Sequence, residues 1–127
     1  MPREPASLNN ATILIVEDEF LLATMLAEDL KAAGFATLGP VMSLANAMRA
    51  VAEESFSLAV LDVNLAGEMV YPLADELAAR AIPFLFLTGY GASHLPDRFR
   101  NAPRLSKPYD PALLTSEIAK ILSPVRR

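Results

Sequence analysis

Four short apolar runs in this sequence each end at side chains that can take part in ionic or hydrogen-bond chemistry. They supply three carboxylates, a hydroxyl and an ammonium, which in chain order are Glu17, Asp18, Asp62, Thr88 and Lys107. If the runs are parallel strands of one sheet, these groups meet at its carboxyl edge, where open α/β sheets bind ligands. Such a set suits a divalent metal ion together with a phosphoryl group.

Each of these residues also has a plain structural interpretation. The acids at 17–19 can form a solvated turn. Asp62, followed by Asn64 and Gly67, can be a turn residue at a strand end. Asp62 is nevertheless informative, because a carboxylate that interrupts a buried run is rarely buried without a partner. Three converging carboxylates repel one another, and their convergence therefore favours a bound cation.

The same residue types fit phosphoryl transfer. Mg²⁺ binds carboxylates, carbonyls, waters and phosphate oxygens, and an Asp carboxylate can act as a nucleophile to give an aspartyl phosphate. The reaction needs mainly positioning and charge neutralisation, for which Lys107 offers a compact cation and Thr88 a hydroxyl. Gly89 leaves room for the group to enter. Pro108 holds Lys107 extended at its strand end, through a bond that is a candidate cis peptide.

Strand-like and helix-like segments alternate along the chain. Buried strands are predicted at residues 12–16, 36–39, 58–61, 83–87 and around Leu105. Amphipathic helices are predicted at residues 19–33, after Ser43, at residues 71–79 and from Asp110 to Leu122. Helix-length connections favour parallel pairing with right-handed crossovers and helices on both faces of the sheet. Residues 91–102 show little periodicity, so a helix there would be short or mobile.

Composition restricts the classes of protein. The chain has 127 residues, 53% of them hydrophobic, which suits one domain with a real core. It contains no Cys, which excludes disulfides, thiolate metal sites and a Cys nucleophile. A net charge of −4 makes nucleic acid an unexpected partner. Without a bilayer-length apolar stretch or a signal-peptide centre, the expected location is cytoplasmic, with no membrane partner.

Taken in order, the segments 13–19, 61–65, 88–89 and 107–109 resemble the motifs of the response-regulator receiver domain of two-component signalling. The resemblance covers residues 12–122. It implies a flavodoxin-like (βα)5 three-layer sandwich of the α/β class, with parallel sheet order 2-1-3-4-5. The chain is accordingly predicted to consist of an N-terminal tail (1–11), a receiver domain (12–122) and a C-terminal tail (123–127).

The resemblance also implies a role for each site residue. Asp62 would be the phosphoacceptor, Thr88 the switch hydroxyl and Lys107 the lysine that contacts the phosphoryl group. The implied Mg²⁺ ligands are the side chains of Glu17, Asp18 and Asp62 and the backbone carbonyl of Asn64. Of the acidic pair, Asp18 would be the closer ligand.

Two further features refine the comparison with the family. Residues 83–91 are similar to the signature of the FAT-GUY receiver subfamily, which pairs with HWE-type histidine kinases, although Leu87 stands where that motif usually has Ala. Most receivers also carry an aromatic switch residue three positions before the lysine, where this chain has Arg104. Tyr90, Tyr109 or the segment after residue 91 could take over that role.

The leading interpretation is a single-domain response regulator. It would catalyse its own phosphorylation from a phosphohistidine donor, and its own dephosphorylation, and act by protein binding or as a phosphate shuttle or sink. The alternative is a receiver-like binding module that works without phosphorylation, which Arg104 favours. A haloacid-dehalogenase-like phosphatase ranks last, because such enzymes need a second Asp where this chain has Asn64.

Two weaker expectations concern other residue types. His94, the single histidine, is interpreted as an exposed loop residue rather than a phosphoryl shuttle or metal ligand. The methionines at 25, 42, 48 and 69 are predicted to fill the core.

Overall fold

The computed structural model describes residues 11–89 and 95–123. Its sheet has five parallel strands, which are β1 (Thr12–Val16), β2 (Ala36–Val41), β3 (Leu58–Asp62), β4 (Phe84–Thr88) and β5 (Arg104–Ser106). The strands are arranged in the order β2-β1-β3-β4-β5. The predicted flavodoxin-like order 2-1-3-4-5 is therefore confirmed.

Four α-helices connect or follow these strands, and they are α1 (Phe20–Ala32), α2 (Leu44–Glu53), α3 (Tyr71–Ala79) and α4 (Pro111–Leu122). The predicted caps are present: the Ser43 hydroxyl accepts a hydrogen bond from the Asn46 amide, and the Asp110 carboxylate accepts one from the Ala112 amide. Between β4 and β5 the described residues contain only a 3-10 turn, Asp97–Phe99, in agreement with the weak periodicity there.

The sheet is buried on both faces, which makes the fold three-layered. Phe86 of β4 packs into one apolar cluster, and its neighbours Leu85 and Leu87 pack into the other. This alternation explains why β4 reads as a continuous apolar run in the sequence. None of the helices in the described part of the chain has the length and apolar character needed to cross a membrane. Ala11, assigned to the predicted tail, is buried and bonds the Ala36 amide through its carbonyl.

Three methionines predicted to fill the core are instead exposed: Met25 by 47%, Met42 by 39% and Met69 by 41%. Met48 does pack against the core. In α1 the apolar pattern predicts one buried face through Leu22, Met25, Leu26, Leu30 and Ala33. The helix buries Leu26 and Leu30 of that face together with Ala23, and Met25 lies outside the buried part. Where a helix offers two apolar faces, tertiary packing chooses between them.

Strand β2 continues two residues beyond its predicted end. It passes through a cis Gly39–Pro40 bond to Val41, and its register against β1 shifts there. Pro40 is compatible with a strand at this position because β2 lies at the edge of the sheet. The irregularity brings the carbonyl of Val41 to the Glu17 amide, which donates to it over 3.0 Å. Edge strand β2 therefore fixes the backbone at the start of the acidic pair.

Candidate functional site

The predicted chemical groups do meet at the carboxyl edge of the sheet. They surround an open hollow of about 520 Å³, whose lining includes Glu17, Asp18, Asp62, Asn64, Thr88, Gly89 and Lys107. The acidic pair follows β1, β3 ends at Asp62, β4 ends at Thr88, and Lys107 comes directly after β5. The structure thus brings the predicted side chains together at one hollow, while their assignment as a functional site and their chemical roles stay predictions.

Three carboxylates lie close enough to share one cation. One oxygen each of Glu17, Asp18 and Asp62 lies within 4.8 Å of the others. Glu17 is 1% exposed and Asp62 5% exposed, whereas Asp18 is half-buried. Since buried like charges repel strongly in a medium of low dielectric constant, this arrangement needs a compensating positive charge.

Lys107 supplies part of that compensation. Its Nζ atom lies 3.1 Å from Oδ1 of Asp62 and 3.2 Å from Oε1 of Glu17. Its backbone amide donates to the carbonyl of Thr88 over 3.0 Å. Burial is the largest effect on the pKa of Lys107 and lowers it, but Asp62 and Glu17 together outweigh burial and raise that pKa above its ordinary value.

The surroundings of Asp62 change the pKa of its carboxyl strongly. Burial, followed by the negative charge of Glu17, raises the pKa of Asp62 to about 7, although Lys107 opposes the shift. Oδ1 also accepts a 3.3 Å hydrogen bond from the Asn64 amide. A single lysine therefore does not fully balance the carboxylates, and a further cation would favour the charged form of Asp62.

One carboxylate oxygen of Glu17 accepts a hydrogen bond and the other does not. Oε2 accepts a hydrogen bond from the Glu19 amide over 3.0 Å. Oε1 is buried and receives no hydrogen bond within residues 11–89 and 95–123, although the Lys107 ammonium lies at ion-pair distance. A buried carboxylate oxygen that is paired with a cation but accepts no well-aligned hydrogen bond still has the capacity to bind a metal ion.

A short hairpin after β3, at the turn that Asn64 and Gly67 indicate in the sequence, forms another wall of the hollow. Its two antiparallel strands are Asn64–Leu65 and Glu68–Met69. The Asn64 side chain accepts a 2.7 Å hydrogen bond from the Gly67 amide, and Gly67 has a φ of 95°. An Asn followed three residues later by Gly was the available signal. The role predicted for the Asn64 carbonyl stays a prediction.

Comparison with solved structures places this geometry in a family. SdrG from Sphingomonas melonis Fr1 is 40% identical, with coverage of 91% of this chain and 98% of SdrG and a TM-score of 0.79. The receiver domain of the PhyR response regulator from Erythrobacter litoralis is 25% identical, with coverage of 94% and 98% and a TM-score of 0.80. A CheY-like receiver domain from Methylobacillus flagellatus is 26% identical, with coverage of 88% and 98% and a TM-score of 0.78.

The chain belongs to the response-regulator receiver family. The sequence matches no protein-family model and no curated protein.

The receiver departs from most of its family at Arg104. The Arg104 guanidinium donates to the backbone carbonyl of Phe99, the last residue of the 3-10 turn, at 3.5 Å, and to that of Arg100, the next residue. Arg104 thus anchors the connection between β4 and β5. Of the suggested substitutes for the missing aromatic residue, Tyr90 lies outside the described residues, as does His94, and Tyr109 bonds to α1.

An aromatic cluster that sequence reasoning missed lies beneath that turn. Phe99 stacks on Tyr71 with ring centroids 5.8 Å apart and makes edge contacts with Phe84 and Phe86. Phe99 is 5% exposed, so the turn is fixed to the core by one buried ring. These four rings come from three separate segments of the sequence, and no local pattern could have brought them together.

Proposed function

We propose that this receiver accepts a phosphoryl group on Asp62 from the phosphohistidine of a histidine kinase, in a Mg²⁺-dependent reaction. The main support is the placement of Asp62 between the Lys107 ammonium, 3.1 Å away, and the acidic cluster. The phosphorylated protein would then act through protein–protein interaction, or pass the group on as a phosphate shuttle or sink.

Mg²⁺ would be held by the side chains of Glu17, Asp18 and Asp62 and by the backbone carbonyl of Asn64. The buried Glu17 oxygen without a hydrogen bond and the spacing of the three carboxylates support this assignment. When bound, the ion neutralises charge on the carboxylates and on the phosphoryl oxygens. It is also the further cation that would return Asp62 to its ionised, nucleophilic form.

The residues of this site supply the nucleophile for the transfer step and the groups that contact the phosphoryl oxygens. A carboxylate oxygen of Asp62 attacks phosphorus, a P–O bond forms, and the P–N bond of the phosphohistidine breaks. The electron pair of the broken bond goes to the imidazole nitrogen of the kinase. Lys107 and Thr88 would contact the phosphoryl oxygens, Lys107 moving from its ion pair with Asp62. Dephosphorylation is attack of water on the same phosphorus, which regenerates the carboxylate and releases phosphate.

The surface beside the site suits a protein donor. Helix α1 begins with Phe20 and Leu21, one residue beyond the acidic pair, and these two residues are 72% and 66% exposed. Met25, one turn further along α1, is 47% exposed. Exposed apolar residues of this size next to a reactive site are typical of protein-binding surfaces.

We assign the kinase to the HWE type and the receiver to the FAT-GUY subfamily on the sequence of residues 83–91.

Intact mass after incubation with Mg²⁺ and acetyl phosphate tests the proposal. The wild-type protein should gain one phosphoryl group, which hydroxylamine should remove because the bond is an acyl phosphate. Asp62→Ala should gain none. Phosphate recovered on a Ser, Thr or His residue, or incorporation that persists in Asp62→Ala, would show that the nucleophile is a different residue.

The alternative function is a binding module that needs no phosphorylation. It is supported by Arg104, whose bonds to the turn carbonyls replace the aromatic residue usual in the family. In that case the wild-type protein would gain no mass from acetyl phosphate at any Mg²⁺ concentration. SdrG, the 40% identical relative, has been solved in a BeF3-activated conformation, which supports the phosphorylatable form.

A further inference from the structure

We propose that Tyr109 and Asp29 are positioning residues that hold Lys107 over the reactive carboxylate. The Tyr109 hydroxyl donates to Oδ2 of Asp29 over 2.6 Å, a contact between residues 80 positions apart. It joins the turn after β5 to the last part of α1. The kinetic part of this inference rests on the proposed function, whereas its structural part does not.

Lys107 gains from such support because it lies just past the end of a short edge strand. Strand β5 is only three residues long and lies at the edge of the sheet. Lys107 follows it, with one backbone bond to the Thr88 carbonyl. A lysine side chain is a flexible four-carbon stem, so the position of its ammonium depends on where its Cα is held.

Tyr109 is suited to hold that backbone. Its ring is half-buried and packs against the apolar cluster that contains Leu26 and Leu30 of α1. Burial, followed by the hydrogen bond to Asp29, raises the pKa of Tyr109 well above its ordinary value. The hydroxyl is therefore a stable donor throughout the physiological pH range. Since α1 begins three residues after Glu17, the bond ties the lysine turn to the helix that follows the acidic pair.

The structural part is tested by amide hydrogen exchange on Tyr109→Phe, which removes the hydroxyl and keeps the ring. We expect the protection of the Lys107 amide to fall about tenfold, the effect of one lost hydrogen bond, while protection in α3 is unchanged. Unchanged protection at Lys107 would overturn the proposal. This measurement needs no phosphorylation, and so it remains informative if the proposed function fails.

The kinetic part is tested by the rate of phosphorylation from acetyl phosphate at saturating Mg²⁺. Tyr109→Phe and Asp29→Ala should each lower the maximal rate about tenfold without changing the Mg²⁺ affinity, because the carboxylate ligands are untouched. Asp29→Asn keeps an oxygen acceptor for the hydroxyl and should restore the rate. The double variant Tyr109→Phe with Asp29→Ala should be no slower than either single variant, since both remove one bond.

A matched control separates positioning from general stability. Asp75→Ala removes two hydrogen bonds to Arg98, at 2.8 and 3.0 Å, on α3 rather than α1. It should leave the phosphorylation rate and Lys107 exchange unchanged. Equal losses in Asp75→Ala, additive losses in the double variant, or failure of Asp29→Asn to restore the rate would each overturn the proposal. If the wild-type protein is not phosphorylated, the proposed function fails while the exchange result still stands.

Discussion

Nζ of Lys107 and Oδ1 of Asp62 lie 3.1 Å apart, although Asp62 ends β3 and Lys107 follows β5, two strands that do not pair. Strand β4 lies between β3 and β5, and adjacent strands are about 4.8 Å apart, so the contact spans roughly 10 Å at backbone level. Only a long side chain bridges that gap past the end of β4. The ion pair therefore links β3 to β5 across β4, and the ends of these three strands form part of the site.

Asp62→Asn should stabilise the metal-free protein at neutral pH. The folded-state pKa of Asp62 is raised from 3.8 to about 7, mainly by burial. Its favourable contribution is thus complete below pH 3.8 and is lost as the pH rises through 7. Since the full shift corresponds to at most about 4 kcal/mol and Asn loses the bond to Lys107, we expect a gain of about 2 kcal/mol at pH 8 and none at pH 4.

Urea unfolding in EDTA at the two pH values measures this difference. Saturating Mg²⁺ should reverse the order at pH 8, because the ion binds the wild-type carboxylate and stabilises the folded state by mass action. If the difference in unfolding free energy between Asp62→Asn and wild type is the same at both pH values, the charged form of Asp62 does not destabilise the fold.

Asp18→Asn should weaken Mg²⁺ binding at least tenfold and abolish phosphorylation while leaving the unfolding midpoint unchanged. Asp18 is half-buried and contributes one of the three clustered carboxylates. Glu19→Gln is the matched control, because Glu19 is the next acid in the chain, is exposed and contributes no oxygen to the cluster. A titration in which both variants bind Mg²⁺ as tightly as wild type would remove the proposed metal site.

The sequence predicted the sheet and the membership of the site because both depend on local rules. Apolar runs mark buried strands, and chemical groups directly after parallel strands must emerge at one edge. The buried face of α1 could be predicted only in part, because Leu22 and Met25 are as apolar as Leu26 and Leu30, of which the last two are buried. Tertiary packing made that choice.

Contacts between distant segments could not be predicted from the sequence either. Nothing local to Tyr109 indicates that its hydroxyl meets Asp29, and nothing near Phe99 indicates the rings around it. Residues 91–102 show little periodicity in the sequence, and yet Leu95 and Phe99 of this segment are only 8% and 5% exposed. Isolated apolar residues without periodicity can still be anchors when the sheet supplies the other side of the contact.

Gly39→Ala should be much more destabilising than Gly34→Ala. Both glycines have positive φ, of 93° and 100° respectively, so both substitutions carry a backbone penalty of about 1 kcal/mol. A Cβ on Gly39 would also lie 2.7 Å from the Val41 amide nitrogen and 3.0 Å from the Ile15 carbonyl oxygen, whereas one on Gly34 would meet nothing within 4 Å. We therefore expect a further loss of about 2 kcal/mol for Gly39→Ala in chemical unfolding.

Gly39→Ala should also weaken Mg²⁺ binding, because the displaced strand includes the Val41 carbonyl that holds the Glu17 amide. If the two alanine variants unfold at the same denaturant concentration, the close approach at Gly39 is relieved by movement of β2.

Phe99→Ala should destabilise the fold by about 3 kcal/mol, the usual cost of deleting a buried aromatic ring. Phe99 is 5% exposed and contacts three other rings. Phe20→Ala is the control, because Phe20 is 72% exposed, and its effect should stay within about 0.5 kcal/mol. Phe20→Ala should instead slow phosphoryl transfer from a kinase while leaving the reaction with acetyl phosphate unchanged. Equal unfolding midpoints for the two variants would contradict the anchoring role of Phe99.

Phosphorylation should be sensed first in the connection between β4 and β5. A phosphoryl group on Asp62 would draw in Thr88 and Lys107, and Thr88 is two residues from Phe86, whose ring lies 5.5 Å from that of Phe99. Arg104 holds the carbonyls of Phe99 and Arg100, and there is no aromatic side chain at position 104 to change its orientation. We therefore expect the signal to be a change in the stability of the turn.

Hydrogen exchange of the metal-free protein and of its Mg²⁺–beryllofluoride complex tests this route. Protection of residues 95–102 should increase in the complex, whereas α2, which contributes no residue to the hollow, serves as the internal control and should not change. Asp75→Ala, which releases Arg98 from α3, should lower protection of residues 95–102 in the metal-free protein and so enlarge the increase on complex formation. If residues 95–102 are equally protected in both states and changes occur only elsewhere, the signal leaves the protein through another face.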